Sequence, residues 1–162
     1  MNTEREELIE SFGVHFERQY NIPPLAGRIL STLIIDGCKS GLTFDQVVEK
    51  MKASKSSVST NLNLLLKTNR IEYFTLVGDR KKYFKAAPLS QRLQNYLTLI
   101  DEEKKLVNQL KQFRKKNMTC TKEEINFQNM VAYQEHLLQV EQLLKSTISK
   151  FKSIETKNQS VK

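Results

Sequence analysis

Two groups of side chains in this sequence are placed to do chemistry. The first lies in "MKASKSSVSTNLNLLLK", residues 51–67. At 100° per residue, Val58, Leu62, Leu65 and Leu66 fall on one side of a helix. Ser56, Thr60, Asn63 and Lys67 fall opposite, with Ser57 at their edge. Ser, Thr and Asn are poor helix formers. Their value here is as short donors and acceptors on a helix that must lie close to something polar. Lys55 sits at the N-terminal end, where a cation opposes the helix dipole unless an anion lies nearby. Helix N-termini also offer backbone N–H groups to phosphates. The pattern suits a helix that enters a major groove, and it equally suits an ordinary serine-bearing surface helix. The second group is the run Arg80, Lys81 and Lys82 in "GDRKK".

Catalytic and metal-binding chemistry finds little support. His15 and His136 are the only histidines, and neither has a Cys or His at metal-ligand spacing. They read as helix-surface or interface residues. There is no glycine-rich phosphate loop and no Gly-flanked nucleophilic serine. Cys38 and Cys120 stand far apart and suggest no disulfide framework. The expectation is a protein that is not an enzyme and uses no metal or cofactor.

The chain has 162 residues, with 5 Gly, 3 Pro and no Trp, which favours a mostly helical fold. No apolar run reaches the roughly 18 residues a membrane span needs. The opening "MNTEREELIE" has no basic and apolar leader, so a cytoplasmic protein is expected. The formal charge of +8 suggests a polyanionic partner. That charge is unevenly placed. Residues 1–20 carry five Glu against two Arg, net −3, whereas residues 53–88 carry seven Lys and Arg against Glu72 and Asp79, net +5.

Local signals define the elements that must position these groups. Thr3 is expected to cap a first helix with Glu4, Glu6 and Glu7 in its opening turn and a stripe of Leu8, Phe12, Phe16 and Tyr20. Pro23-Pro24 ends it and starts a second helix that stops near Asp36-Gly37. Thr43 and Gln46 form a capping box, with Leu42 and Val47 as a hydrophobic staple. A short turn then leads to Ser54, a cap for the polar-faced helix, making a helix-turn-helix. "IEYFTLVGDRKKYFKAA", residues 71–87, reads as two antiparallel strands around Gly78-Asp79, at least half of whose four aromatic rings face the core. A hairpin after such a helix is a winged helix, and a cationic wing tip can reach phosphates or a minor groove. Ser90 is expected to cap a long helix carrying Leu93, Leu97, Ile100, Val107 and Leu110. Thr121 and Glu124 are expected to box the start of another, running to about Ile154. Its apolar rows are Met130, Leu137, Leu144 and Phe151, joined by Tyr133, Val140, Thr147 and Ile154. These two helices pack either against each other alone or also against a second copy.

"PPLAGRILSTLI", "GLTFDQVVEKMKASKSSVSTNLNLLLKTNRIEYF" and "GDRKKYFKA" resemble the GbsR-type branch of the MarR-like winged-helix transcription regulators, over roughly residues 10–88. The resemblance implies a dimeric DNA-binding repressor or activator whose affinity changes when a small ligand binds. It implies a dimer interface of N- and C-terminal helices, and it places Ser54 through Thr60 at the start of the recognition helix. Asp79 and Arg80 match the wing's Asp-Arg pair, in which the acid orients the arginine. Thr68-Asn69-Arg70 departs from relatives that carry a glycine there, and Asn69 can supply the left-handed conformation instead.

The expected fold is mainly α: a winged helix-turn-helix domain with long N- and C-terminal dimerisation helices. Residues 1–21 form a dimerisation helix, 22–88 the DNA-binding domain, 89–155 a helical hairpin for dimerisation and 156–162 a disordered tail. Expected partners are double-stranded DNA, a second copy of the chain and a small-molecule effector of unknown identity, with no membrane. DNA contacts are expected from Lys55, Ser56, Ser57, Thr60, Asn63, Lys67, Arg80, Lys81 and Lys82, with Asp79 supporting the wing. Phe12, Phe16 and Tyr20 either line an effector pocket able to hold a quaternary ammonium or are plain dimer core. The competing function is a winged-helix protein-interaction module without specific DNA binding.

Overall fold

Residues 2–159 are described by the computed structural model, which divides between Ala87 and Pro88 into two compact units. The first contains helices α1 (Asn2–Tyr20), α2 (Pro24–Ile35), α3 (Phe44–Met51) and α4 (Lys55–Lys67). It also holds strands β1 (Leu42–Thr43), β2 (Ile71–Thr75) and β3 (Lys82–Ala86). The second is α5 (Leu89–Asn117) and α6 (Thr121–Gln159).

Proline at the first position of α2 and the capping box of α3 act as the sequence suggests. Thr43 Oγ1 accepts from the Gln46 amide while Gln46 Oε1 accepts from the Thr43 amide at 2.8 Å. Leu42 and Thr43, read as staple and cap, are also a short strand. They pair antiparallel with β3, giving the sheet order β1-β3-β2 with Leu42 and Tyr73 both opposite Phe84. Lys52 takes a left-handed φ of 49°, which ends α3 abruptly enough for Ser54 to cap α4. The wing strands bury less than expected. Phe84 is buried, Phe74 and Tyr83 are half-buried and stacked at 5.6 Å, and Tyr73 is exposed.

Phe16, Ile29, Leu33, Val47, Val58, Leu65 and Phe84 join in one core. The helix expected to serve dimerisation, α1, is also built into that core. Phe16 is 1 % exposed, and Gly13 and Gly27 let α1 and α2 approach closely. A Cβ on Gly27 would lie 2.5 Å from the Gly13 carbonyl oxygen. Asp36, at the end of α2, ties α1 to α3 by accepting from Arg5 and pairing with Lys50 at 2.9 Å. Thr3 lies inside α1 rather than before it.

In the second unit, α5 and α6 pack along a seam spaced three and four residues apart. Met130, Leu137, Leu144 and Phe151 belong to it, as the periodicity predicts. It also takes in Gln134, Glu141, Ile148 and Glu155, whereas of the expected row Val140 and Thr147 are half-buried and Tyr133 and Ile154 are exposed. The reason is polar pairing inside the seam. Glu141 meets Lys104, Gln134 accepts from Lys111 at 2.7 Å, and Glu155 accepts from the Ser90 amide at 3.1 Å. Leu110 is consequently turned outward while Lys111 is half-buried. Ser90, expected as a cap, lies in the first turn of α5 after Pro88. At the start of α6 the expected Thr121–Glu124 box is replaced by Glu123, which accepts from the Thr119 amide at 2.7 Å. Thr156–Gln159 continue α6, where a disordered tail was expected, and residues 160–162 lie outside the described residues.

Candidate nucleic-acid interface

The helix-turn-helix presents α4 with its apolar side fully used. Val58 and Leu65 are 0 % exposed and Leu62 is 2 % exposed, so rotation about the helix axis is excluded. Lys55, Ser56, Ser57, Thr60, Asn63 and Lys67 are all exposed, on the side away from the core. The start of α4 is ordered by its own hydroxyls. Ser54 Oγ accepts from the Ser57 amide at 3.1 Å and lies 2.8 Å from Ser57 Oγ. Thr60 Oγ1 donates to the Ser56 carbonyl at 3.0 Å, which leaves its lone pairs and methyl outward. These could accept from a base amino group and touch a thymine methyl. Asn63 makes no bond among the described residues and keeps both amide functions available. Lys55 lies 3.6 Å from Asp45, but both side chains are about three-quarters exposed, and such pairs are weak and exchangeable.

Asn61 was missed by sequence reading. Buried beneath the exposed face, it donates to the Ser57 carbonyl at 2.8 Å and its Oδ1 has no hydrogen-bond partner. On the wheel it falls next to Leu65, at the edge of the apolar side, and that was the available signal.

The far end of α4 sets the direction of the wing. Thr68 caps the helix, Asn69 takes a φ of 53°, and its amide donates to Leu66 O at 3.1 Å. The Arg70 amide donates to Leu65 O at 2.9 Å, completing a Schellman motif without glycine. Asn69 thus supplies the left-handed residue.

At the wing tip, the Asp79 amide donates to the Leu76 carbonyl at 3.0 Å across a turn in which Gly78 has φ 83°. The Asp79 carboxylate accepts from the Tyr83 hydroxyl at 2.7 Å and the Lys81 amide at 2.9 Å. Those bonds, the Tyr83 hydroxyl foremost, hold its pKa below the usual carboxylate range. The resemblance implied an acid that orients Arg80; here it braces the turn through Tyr83 and the backbone. Arg80, Lys81 and Lys82 are all exposed, with Lys82 Nζ 4.2 Å from the centre of the Tyr73 ring. Lys85, further along β3, pairs with Glu72 at 2.9 Å.

The three rings of α1 form a ladder. Phe12 stacks on Phe16 at 5.7 Å and Phe16 on Tyr20 at 5.5 Å. Phe16 is core, and the Arg70 guanidinium already lies 3.2 Å from the centre of the Tyr20 ring. Phe12 is 37 % exposed. A groove of about 440 Å³ on α1 is lined by Ser11, Val14, His15, Arg18 and Gln19, and includes none of these rings. Among the described residues no cluster of His, Cys, Asp and Glu is arranged to hold a metal, and no helix is long and apolar enough to cross a membrane.

No protein-family model matches the chain. The chain is 30% identical over 82 residues to the HTH-type transcriptional regulator MmpR5 of Mycobacterium tuberculosis. That match covers 51% of this chain and 48% of the relative, so it spans about half the length of each. Among solved structures, one described as a transcriptional regulator superimposes with a TM-score of 0.68 at 20% identity, covering 93% of this chain and 99% of that one. A mutant of MepR from S. aureus aligns more loosely, with a TM-score of 0.42 at 19% identity over 84% of this chain and 91% of that one. The chain therefore has the mainly helical winged-helix fold of a solved transcriptional regulator, and half of it is similar in sequence to a regulator of helix-turn-helix type.

Proposed function

We propose that this chain is a cytoplasmic, homodimeric transcriptional regulator that binds specific sequences in double-stranded DNA and acts by binding, not catalysis. The observation that carries this reading is the outer face of α4. Six short or cationic side chains stand exposed on a helix whose other side is locked in the core, and a cationic wing comes next in the same unit. Short donors read base edges, a helix N-terminus and lysines meet phosphates, and wing cations add sequence-independent attraction. Similarity to an HTH-type regulator supports the same reading.

Dimerisation is supported by apolar side chains that the single chain leaves uncovered. Leu99, Leu106 and Phe113 recur every seven residues along α5 and are each at least 60 % exposed, with Leu110 between them. Leu8 and Phe12 add exposed apolar surface on α1. Repression, response to a small ligand and placement in the GbsR-type branch complete the proposal, resting on the motifs within residues 10–88. A ligand acts only if it binds one spacing of the two recognition helices better than the other. Phe12 has the most accessible of the three α1 rings, and choline-like cations are the first ligands to try.

The test is enrichment of genomic fragments by the purified protein, then gel-shift titration. Recovery of near-palindromic sites with half-sites about one helical turn apart is the expected result. Equal binding to every fragment, or none, would remove the claim of specific DNA recognition.

A further inference from the structure

The apex of the β2–β3 hairpin carries side chains that an exposed turn does not ordinarily use. Turns favour Gly, Pro, Asn, Asp and Ser. Here Leu76 is 49 % exposed and Val77 is fully exposed. The fold does not need either side chain to shape the turn. Closure comes from the Asp79 amide on the Leu76 carbonyl, and bracing from the Asp79 carboxylate on Tyr83 and Lys81. Gly78 beside them faces open space, with nothing within 4 Å of where a Cβ would be. Two adjacent aliphatic residues are thus held out in water at the apex, with only Gly78 and Asp79 between them and three exposed cations.

We propose, on the reading that the chain binds duplex DNA, that Leu76 and Val77 are an apolar wedge. Val77 enters the minor groove at the wing and presses on one base step, while Arg80 and Lys81 hold the flanking phosphates. The neighbouring charge decides for DNA over an uncharged protein groove, because phosphates line both sides of a groove and match cations beside an apolar tip. A minor groove about 6 Å wide admits a two-residue turn apex but no helix. Apolar side chains inserted there partly unstack a base step and bend the duplex. Pyrimidine–purine steps deform most easily. The wedge therefore adds a sequence preference at a position where no hydrogen bond reads the base.

The experiment uses a duplex selected by the intact protein from a random-sequence library, with 2-aminopurine placed in turn at each step under the wing. Wild type should raise the fluorescence at one step, and the selected sites should carry a pyrimidine–purine step there. Val77→Ser should bind about tenfold more weakly, from lost apolar burial, with an unchanged slope against salt because no charge is removed. Val77→Leu should keep both affinity and fluorescence. Because Val77 packs on nothing in the protein, the thermal melt of Val77→Ser should match wild type, which separates a binding defect from a folding one. Wild-type affinity and fluorescence in Val77→Ser and Leu76→Ser would overturn the wedge and leave DNA binding intact. So would a Val77→Ser variant that keeps DNA affinity but loses adsorption to vesicles of anionic phospholipid, which would make the tip a membrane contact. Failure of wild type to select any duplex would overturn both the wedge and the DNA-binding reading.

Discussion

Thr60 and Arg80 are both exposed, yet their loss should be felt differently. Thr60 already spends its proton on the Ser56 carbonyl, so it offers DNA an acceptor and a methyl group. Thr60→Ala should change the ranking of operator variants, by up to about 1–3 kcal/mol at the base it reads. Arg80 offers only charge and donors. Arg80→Ala should weaken binding to all sequences, and the slope of log affinity against log salt should become shallower by about 1.8 per dimer, at about 0.9 per phosphate contact. Gel shifts at several salt concentrations check both, and an Arg80→Ala protein with wild-type slope and affinity would place the wing off the DNA. Asp36 makes a separate, pH-dependent prediction. Its hydrogen bond from Arg5, with Lys50 adding to it, lowers its folded pKa below the ordinary carboxylate value. Its contribution to stability is therefore complete above the unfolded pKa of about 3.9 and is lost as pH falls through the lower folded pKa. Asp36→Asn should cost about 1–2 kcal/mol at neutral pH, between the worth of exposed and buried pairs. It should also flatten the loss of stability on acidification, as read from urea unfolding across pH.

At the scale of elements, two backbone sites decide how helices meet their neighbours. Asn69 occupies the left-handed position that ends α4 and aims β2. Asn69→Ala should destabilise by about 1 kcal/mol, because a Cβ without a local polar partner is strained there. Asn69→Gly should be neutral or slightly stabilising, so thermal melts of the pair separate backbone strain from any side-chain role. Gly27 is where α1 crosses α2, and its missing side chain is what allows α1 into the core. Gly27→Ala places a methyl against backbone instead of a movable side chain, so the helices must separate. A loss of about 1–3 kcal/mol is expected, the usual cost of overpacking. A melting temperature equal to wild type would show that the crossing yields without cost.

For the whole molecule, the property to test is association. The α5–α6 seam satisfies its polar members internally, yet Leu99, Leu106 and Phe113 remain outside it. A second copy covering such rows from both chains, together with Leu8 and Phe12, would bury on the order of 2,000 Å², the size of an obligate dimer interface. Sedimentation should show a dimer at micromolar concentration. Leu106→Glu with Phe113→Glu should give monomers and weaken DNA binding with it, since two half-sites would no longer be held together. An intact chain that sediments as a monomer would remove the dimer and the palindromic operator.

Much of the exposed face of α4 was legible because it depends on local periodicity. The spacing of Val58, Leu62 and Leu65 alone determines which side of α4 is buried, and hence that Lys55, Ser56, Ser57, Thr60, Asn63 and Lys67 are exposed. The Thr43 capping box, the proline start of α2 and the left-handed Asn69 are likewise contacts within a few residues. The features that could not be read depend on partners far away in the chain. β1 exists only because β3 returns to pair with it. The second row of the α6 seam is polar, and only Lys104, Lys111 and Ser90 on α5 make Glu141, Gln134 and Glu155 acceptable there. Apolar periodicity therefore placed Tyr133 and Ile154 inside, where the structure exposes them. The sequence by itself determined the succession of helices, the caps of α3 and α4 and the buried side of α4, since these arise from interactions within a turn or two. Tertiary structure decided the place of α1, the sheet order and the polar seam, because a buried charge or a bare glycine is explained only by the group that meets it.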